Sequence, residues 1–278
     1  MPFHTVYLHG LVRAEDGRKM SKTLDNVVDP LGAADEYGTD ALRFTLTTGS
    51  TPGTDMNLTP ERLEANRNFA NKLWNTARFT LSNLGEGAER HNLALGRDDF
   101  LAMPLAERWI ISRLSQVTGE VTHHVEQFNL GEAGRTLYNF IWGECADWYI
   151  EAAKTRLYGE SVQAQRTTRW VLLYVLERTL RLLHPFMPYI TETIWQSLPV
   201  EKESETIMLA PWPQPGPVDE AAIERWEALQ ELIRAIRNTR QEYNVEPGRR
   251  IAATVVSARL AEVLEESRDV LSLLARID

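Results

Sequence analysis

The chain has 278 residues, of which 43% are hydrophobic and 25% charged, so it has enough apolar side chains for a substantial globular core. A net charge of -9 argues against a general polyanion binder, although local basic clusters leave a selective RNA contact open. The single Cys145 excludes a disulfide framework and a CxxC zinc site, and the sequence shows no signal peptide or membrane-spanning run. We therefore expect a cytoplasmic protein that binds neither a membrane nor a metal.

The first fifty residues are mixed in character and punctuated by glycine. A strand is predicted at Val6–Leu8, and a helix is predicted from Leu31 to Phe44. The breaker cluster Gly49–Gly53 marks the best candidate boundary between two domains. We interpret residues 1–50 as the end of a domain that starts outside the chain, and residues 51–210 as the domain that follows it.

Residues 51–210 show apolar side chains at helical spacing, which predicts an antiparallel helical bundle. Thr59 and Pro60 suit the N-cap and the first turn of the first helix, which should end before Gly85 and Gly87. The third helix is apolar on most faces, as is typical of the middle of a bundle. The predicted helices run from about Thr59 to Leu84, Met103 to Val125, Gly131 to Tyr158 and Thr167 to Leu183, and a shorter one ends near Leu198.

The last part of the chain begins after a proline-rich segment. Pro211–Pro217 is predicted to be a stiff linker. A helix over about Asp219 to Tyr243 follows, then strand character at Ile251–Val256 and a helix from about Ala258 to Ile277. We therefore expect residues 218–278 to form a small α/β appendage on a protein that is mainly α.

The stretch Gly17–Asn26 reads Gly-Arg-Lys-Met-Ser-Lys-Thr-Leu-Asp-Asn and is called the lysine loop here. Lys19 and Lys22 suit a mobile loop that stabilises negative charge on a polyphosphate when pyrophosphate leaves. A solvated basic turn is the alternative for this motif alone. With its flanks from Tyr7 to Phe44, the loop resembles the lysine signature of class I aminoacyl-tRNA synthetases, and within that class it is most similar to the valyl-tRNA synthetases.

The resemblance implies that Lys22 is the principal ATP contact, with Lys19, Ser21 and Thr23 beside it and Mg²⁺ accompanying ATP in the full enzyme. The family usually has serine where Thr23 stands, a change that keeps the hydroxyl. It usually has glycine where Asp25 stands, which suggests a backbone with positive φ. Aspartate tolerates that conformation but adds negative charge near the phosphates, so we expect weaker loop closure.

The other half of a class I active site, a HIGH-like motif, does not occur in this sequence. His9-Gly10 lacks the second histidine, so we do not count it as such a motif. The sequence also has no GxGxxG, Walker, HExxH, GxSxG or EF-hand motif. We therefore expect the chain by itself to hold no ATP and to be inactive, with ATP and valine bound only by the full-length enzyme.

The first long helix combines an apolar stripe with a polar face. Phe79 is predicted nearly opposite the stripe, beside Lys72 and Asn75, where an aromatic ring could stack on an unstacked RNA base. Packing against a neighbouring helix is the alternative. The run Arg67–Phe79 resembles the anticodon-contacting helix of valyl-tRNA synthetases, which implies Lys72, Asn75, Arg78 and Phe79 as tRNA contacts. The predicted core stripe consists of Phe69, Ala70, Leu73, Trp74, Ala77, Leu81 and Leu84.

The segment Asp147–Arg156 also resembles the family. Trp148 and Ile150 are interpreted as structural, whereas Lys154 and Arg156 are candidates to reach the tRNA backbone, with solvated surface charge as the alternative. A basic stripe on the last long helix either pairs with nearby glutamates or faces tRNA: Arg234, Arg237 and Arg240.

Nearly the whole chain thus resembles the C-terminal part of a valyl-tRNA synthetase. The resemblance implies a monomer that binds the anticodon region of tRNA(Val) and supplies the lysine loop for valine adenylation. Three alternatives remain at this point. They are a stand-alone tRNA-binding or interaction protein without catalysis, a helical scaffold without an RNA function, and a fragment of an isoleucine-type synthetase.

Overall fold

The computed structural model describes residues 2–49, 52–85, 90–257 and 260–278. The fold is mainly helical, as predicted. The helices before residue 130 are α1 (Pro30–Tyr37), α2 (Thr39–Thr48), α3 (Pro60–Ser82), α4 (Arg97–Leu101) and α5 (Leu105–Glu126). The later helices are α6 (Leu130–Asn139), α7 (Ile150–Leu157), α8 (Val162–Leu183), α9 (Pro188–Ser197), α10 (Glu220–Glu242), α11 (Ala261–Glu266) and α12 (Arg268–Ala275).

Two short strands tie the N-terminal part together. Strand β1 (Val12–Arg13) pairs in parallel with β2 (Met56–Asn57), with Val12 opposite Met56. The strand predicted at Val6–Leu8 is wrong, because Leu8 accepts one backbone bond from Gly53 and no ladder forms there. The single helix predicted from Leu31 to Phe44 divides into α1 and α2 at Gly38, which has a φ of +95°.

The start of α3 follows the sequence prediction. The Thr59 hydroxyl accepts a hydrogen bond from the Arg62 N–H, and Pro60 occupies the first turn. The helix ends at Ser82, before Gly85; Gly87 lies outside the described residues, as do Ser50 and Thr51 at the predicted domain boundary.

The helix predicted from Gly131 to Tyr158 is one continuous rod from Leu130 to Leu157. Its middle part, Phe140–Tyr149, is π-helical and is called the π segment here. A π turn is wider than an α turn, so the side chains after Phe140 leave the α-helical phase. The apolar residues predict a helix here, but they do not indicate where its geometry changes from α to π.

A single large hydrophobic cluster runs through the bundle and beyond it. The Trp109 and Trp226 rings stack with centroids 4.8 Å apart, which joins α10 to α5. The Phe44 ring of α2 lies 5.2 Å from the Phe69 ring of α3. Packing therefore continues across both predicted boundaries, near residue 50 and near residues 211–217, and the three-domain division stays a prediction.

The C-terminal part is helical rather than α/β. Ile251 forms a single bridge with Ile277, and residues 252–257 form no strand, so the predicted strand Ile251–Val256 is wrong. A strand needs backbone hydrogen bonds to a neighbour along its length, and within the described residues this segment pairs only through Ile251 and Ile277. The helix predicted from Ala258 divides at Ser267 into α11 and α12, and Ala258 itself lies outside the described residues.

The proline-rich segment before α10 packs against the bundle. The Trp212 indole N–H donates to the Thr122 hydroxyl at 2.8 Å, and the Ser115 hydroxyl donates to the Gly216 carbonyl at 2.7 Å. Within the described ranges, every helix is too short or too polar to span a bilayer.

Candidate nucleic-acid interface and lysine loop

The lysine loop is closed at its base by backbone and amide hydrogen bonds. Lys19 forms an antiparallel bridge with Arg13. The Asn26 side chain accepts from the Ser21 N–H at 2.8 Å and donates to the Lys19 carbonyl at 3.3 Å. Lys22–Leu24 then forms a single 3-10 turn. One asparagine therefore holds both ends of the segment that carries the two lysines.

Inside the loop, the hydroxyl groups pair with each other. Ser21 Oγ lies 2.8 Å from Thr23 Oγ1 and accepts from the Thr23 N–H at 3.3 Å. Asp25 has a φ of +51°, so the positive φ suggested by the family's glycine is present. Lys19 and Lys22 are exposed, and their ammonium groups make no ion pair with any described residue. Both lysines can therefore approach an anion.

The strand before the loop is fixed by Asp55. Its carboxylate accepts from the Leu11 N–H at 2.8 Å and from Arg13 Nε at 2.6 Å. These two donors hold the pKa of the Asp55 carboxyl below its ordinary value, and the backbone N–H has the larger effect. The carboxyl stays ionised at neutral pH and keeps Arg13, the bridge partner of Lys19, in place.

The core face of α3 is narrower than predicted. Phe69, Leu73 and Ala77 are buried as expected, and Thr76 and Thr80 are buried with them. Trp74 is 47% exposed, so its place in the core stripe is wrong. At about 100° per residue, the buried set centres between Leu73 and Thr80, and the Trp74 side chain projects beyond the arc that neighbouring helices cover.

Phe79 lies on the flank of that arc and not opposite to it. The ring is half-buried and packs against the main hydrophobic cluster. The Lys154 ammonium group lies 5.8 Å from the ring centroid and also pairs with Glu151 at 2.6 Å. Phe79 therefore packs against a neighbouring helix and is also partly exposed. The positions of α3 and α7 bring Phe79 and Lys154 together.

A second cation–aromatic pair lies on the same flank of α3. The Lys72 ammonium group donates to Asp147 Oδ1 at 2.8 Å and lies 5.3 Å from the centre of the Trp142 ring. Lys72 and Lys154 therefore lie along the seam where α3 packs against the rod formed by α6, the π segment and α7, and this seam is called the α3 groove here. Asn75 and Arg78 are exposed on α3, and their side chains make no hydrogen bond within the described ranges.

Arg156 points towards the interior instead of the groove. Its Nε lies 3.7 Å from Oε1 of Glu107, which is fully buried. The Thr168 hydroxyl donates to the same carboxylate oxygen at 2.8 Å. The tRNA contact predicted for Arg156 stays a prediction, and the structure adds a role beside a buried carboxyl.

An aromatic cavity of about 500 Å³ lies between α5, the π segment and α10. The Tyr138 and Trp142 rings in its wall stack with centroids 5.6 Å apart. Arg113 donates to both oxygens of Glu144, at 2.7 and 2.9 Å. The sequence analysis missed this site, although the four-residue spacing of Tyr138 and Trp142 is a signal for neighbouring rings on a helix.

The basic stripe of α10, Arg234, Arg237 and Arg240, makes no ion pair with a glutamate within the described ranges, and its contact with tRNA stays a prediction. The Arg234 and Arg237 guanidinium groups lie 5.1 and 5.4 Å from the centre of the Trp148 ring. Arg240 is buried and donates to the carbonyls of Arg276 and Arg249 at 3.1 and 2.6 Å. This stripe therefore joins α10 to the rest of the fold, and the half-buried Trp148 has the structural role expected of it.

Comparison with known sequences gives two family matches. The family model described as the anticodon-binding domain of tRNA ligase matches residues 107–256, which is more than half of the chain. The model for class I tRNA synthetases (I, L, M and V) matches residues 1–59, which contain the lysine loop.

Curated relatives resemble the chain over nearly its whole length. It is 48% identical over 288 aligned residues to valine–tRNA ligase 2, chloroplastic/mitochondrial, of Arabidopsis thaliana, covering 100% of the chain and 29% of that protein. It is 52% identical over 253 residues to the valine–tRNA ligase of Geobacillus stearothermophilus, covering 90% of the chain and 28% of that protein. The chain thus spans less than a third of the length of these relatives.

Solved structures share the fold. An Agrobacterium radiobacter K84 LeuRS, in a ternary complex with tRNA and LeuAMS, has a TM-score of 0.57 at 24% identity, covering 77% of this chain and 24% of that one. A Mycobacterium tuberculosis methionyl-tRNA synthetase with methionyl-adenylate has a TM-score of 0.57 at 21% identity, covering 76% and 42%. The chain therefore belongs to the family of anticodon-binding domains of class I tRNA ligases, and its sequence is similar to valine–tRNA ligases.

Proposed function

We propose that the chain is the C-terminal part of a valine–tRNA ligase. In this proposal the helical bundle binds the anticodon region of tRNA(Val), and the lysine loop contacts the ATP phosphates during valine adenylation. The similarity to valine–tRNA ligases of Arabidopsis thaliana and Geobacillus stearothermophilus supports the choice of valine. A lone, buried Cys145 fits a reducing compartment, and we propose a cytoplasmic monomer.

The observation that carries the tRNA part is the α3 groove. Lys72 lies over the Trp142 ring and Lys154 lies over the Phe79 ring. Aromatic faces next to lysines are what unstacked RNA bases and their phosphates bind. The partners of both lysines are partly exposed carboxylates, and such surface ion pairs are weak enough for phosphates to replace them.

The ATP part rests on the two exposed lysines of the loop. Lys19 and Lys22 would stabilise the charge that develops on the phosphates, and Mg²⁺ would accompany ATP in the full-length enzyme. No HIGH-like motif occurs in the sequence, so the chain alone should show no valine-dependent exchange of pyrophosphate into ATP. Measurable exchange by the purified chain would overturn this expectation.

Fluorescence anisotropy with labelled tRNA(Val) tests the tRNA part. Phe79→Ala and Lys72→Ala should each weaken binding about tenfold, since stacking on one base contributes roughly 1–3 kcal/mol. Arg62→Ala removes a charge from an exposed position on the same helix and serves as the matched control, with affinity close to that of the wild type.

The ligand is varied in the same assay. A tRNA(Val) with a changed anticodon should bind the wild type more weakly than the native transcript, and tRNA(Ile) should also bind more weakly. Stronger binding of tRNA(Ile) would favour the isoleucine-type alternative. If neither anticodon changes nor the two α3 substitutions affect the affinity, the bundle does not read the anticodon through this groove.

A further inference from the structure

A second cavity, of about 550 Å³, lies between α8, α9, the segment that precedes α4 and the segment that follows α9. We name it the α8 cavity. It is separate from the lysine loop and from the α3 groove, and neither uses its residues. Its wall combines cationic, aromatic and carboxylate side chains, among them Glu177, Arg178, Arg181, Trp195, Glu201 and Lys202.

Arg178 is fixed in the wall of the α8 cavity by an aromatic ring. Its guanidinium carbon lies 3.7 Å from the centre of the Tyr174 ring, and Tyr174 stacks in turn on Trp170. The Arg178 Nη1 atom is buried and has no hydrogen-bond partner within the described ranges; Glu177 Oε2 is 3.8 Å away. A stacked guanidinium keeps its donors at its edge, so Arg178, which lines the cavity, also carries a buried N–H group that has no acceptor within the described ranges.

Arg181, one helical turn further along α8, lines the same cavity and has a second buried N–H group of this kind. Its terminal nitrogens donate to the Pro211 carbonyl at 2.9 Å and to Glu177 Oε2 at 2.8 Å. The Nε atom is buried and unpaired within the described part of the chain. Lys202 is the third cation in the wall of the cavity. Its ammonium group donates to the Gln196 carbonyl at 2.9 Å.

The carboxylates of the α8 cavity are already occupied or solvated. Glu177 accepts from the Trp195 indole N–H at 3.3 Å in addition to Arg181. Glu201 is exposed and accepts from the Asn92 amide at 2.9 Å, and Glu203 is exposed as well. Unpaired buried donors are costly, whereas Glu177 and Glu201 have partners and Glu203 is exposed to solvent. Among the described residues that line the cavity, the buried polar atoms without a partner are therefore donors.

The charges in the wall agree with this imbalance. Burial lowers the pKa of the Arg178 guanidinium, although the group remains protonated at any ordinary pH. Burial, with the nearby positive charge of Arg90, also lowers the pKa of Lys202. Both shifts come mainly from burial, which Glu177 beside Arg178 and Glu192 near Lys202 offset only in part, and a bound anion would favour the protonated cations further.

We propose that the α8 cavity binds a phosphate group through Arg178, Arg181 and Lys202. Guanidinium groups present paired N–H donors that match phosphate oxygens, and a lysine adds a point charge. The volume exceeds that of one phosphate, so it also has room for part of the molecule that carries it. The ligand is therefore a phosphate ester, either a free small molecule or a phosphodiester of the tRNA backbone.

Isothermal titration with inorganic phosphate at constant ionic strength tests the proposal directly. The wild type should show saturable binding, and Arg178→Ala and Lys202→Gln should each weaken it about tenfold or more, as expected for a lost charge-assisted hydrogen bond. Arg166→Ala, which removes an exposed charge from the same helix, is the matched control and should bind as the wild type does.

Circular dichroism decides whether each variant is folded. Lys202→Gln alters a partly exposed side chain, so it tests the site even where Arg178→Ala fails to fold. Glu177→Gln removes the negative charge nearest to both arginines and should strengthen phosphate binding. The proposal is wrong if the wild type shows no saturable binding, or if Lys202→Gln and Arg166→Ala bind phosphate equally well.

The same variants distinguish the two sources of the phosphate. If the tRNA backbone occupies the α8 cavity, Lys202→Gln should lower the affinity for tRNA(Val) and reduce its dependence on salt by about one phosphate contact. If a free phosphate ester is the ligand, Lys202→Gln should lose phosphate binding and leave the affinity for tRNA(Val) unchanged. Because inorganic phosphate is the first titrant, the result does not depend on whether the chain binds tRNA.

Discussion

The lysine-loop region and the helical bundle are stabilised by very different amounts of buried apolar surface. The lysine-loop region rests on a small cluster that includes Met56 and Leu58. The large cluster that runs through the bundle and into α10 contains three almost fully buried tryptophans, Trp109, Trp195 and Trp226. Segments with few buried contacts open at a lower free energy than a dense core. The comparison therefore predicts a region that moves and a bundle that holds its shape.

Each region also has the form that its proposed task requires. A loop that closes over phosphates must change conformation, and Asn26 holds only its base while the two lysines stay exposed. A surface that reads RNA bases must keep aromatic rings in fixed places, and Trp142 and Phe79 are both packed against the large cluster. Four measurements test this contrast, starting with the largest expected effect.

Cys145 reports on the tightness of the bundle. Burial raises the pKa of its thiol from 9.0 to about 12, with a smaller contribution from Glu144, so roughly a thousandfold less thiolate forms at a given pH. We expect the native chain to react with a thiol reagent such as DTNB at least about a thousand times more slowly than the chain in urea. Similar rates in the two conditions would show that the bundle core opens readily.

Equal truncations in the two clusters measure their difference in stability. Leu73→Ala, in the fully buried stripe of α3, should lower the free energy of unfolding by about 2–5 kcal/mol. Leu58→Ala, in the small cluster, should lower it by about half as much, because the surroundings can collapse around the gap. Urea unfolding followed by circular dichroism gives both values. Equal losses would remove the distinction between the two regions.

Glu107 tests whether the dense core tolerates a charge. Burial raises the pKa of its carboxyl, and Arg156 and Thr168 oppose this effect. The folded state then binds the proton more tightly than the unfolded state. The resulting stabilisation is complete below the ordinary glutamate pKa of about 4.3 and is lost as the pH rises through the raised folded pKa.

Glu107→Gln keeps an acceptor for the Thr168 hydroxyl and removes the charge. At neutral pH this variant should be as stable as the wild type or more stable by about 1 kcal/mol, and its stability should decline less between pH 4 and pH 7. Urea unfolding across that range measures the difference. The matched control Glu160→Gln, at an exposed position, should follow the wild type at every pH. Parallel curves for the wild type and Glu107→Gln would contradict the raised pKa.

The parts of the fold that depend on local chemistry could be predicted from the sequence. The cap at Thr59 and the first turn at Pro60 involve neighbours in the chain, and the structure has both. The strand predicted at Ile251–Val256 failed because a strand needs a partner that the sequence does not identify. The division of the long rod by the π segment was also missed, since its apolar residues suit either kind of helix.

The candidate site likewise has some features that the sequence could predict and others that it could not. The positive φ of Asp25 was predictable from the glycine that the family usually has at this position, because the backbone conformation there is a local property. The exposure of Trp74 was not, because a helical wheel does not show how wide an arc the neighbouring helices cover. The pairing of Lys72 with Asp147 joins residues that are 75 positions apart, and no local pattern signals it.

Asp25 gives the smallest expected effect and tests the loop itself. With a φ of +51°, this residue should accept glycine or asparagine more readily than alanine. We expect Asp25→Ala to be less stable than Asp25→Gly by about 1 kcal/mol, with Asp25→Asn close to the wild type. Asparagine also tolerates a left-handed backbone but carries no charge. Asp25→Asn therefore separates the effect of the backbone conformation from the effect of the charge.

Hydrogen exchange at the Ser21 amide is the most direct measurement for these variants, because this N–H donates to Asn26 across the base of the loop. Exchange should be fastest in Asp25→Ala, where the left-handed turn is strained. Identical exchange in the alanine, glycine and asparagine variants would mean that the turn at Asp25 does not fix the loop. The two lysines would then be placed by Asn26 alone, and the aspartate could affect phosphate binding only through its charge.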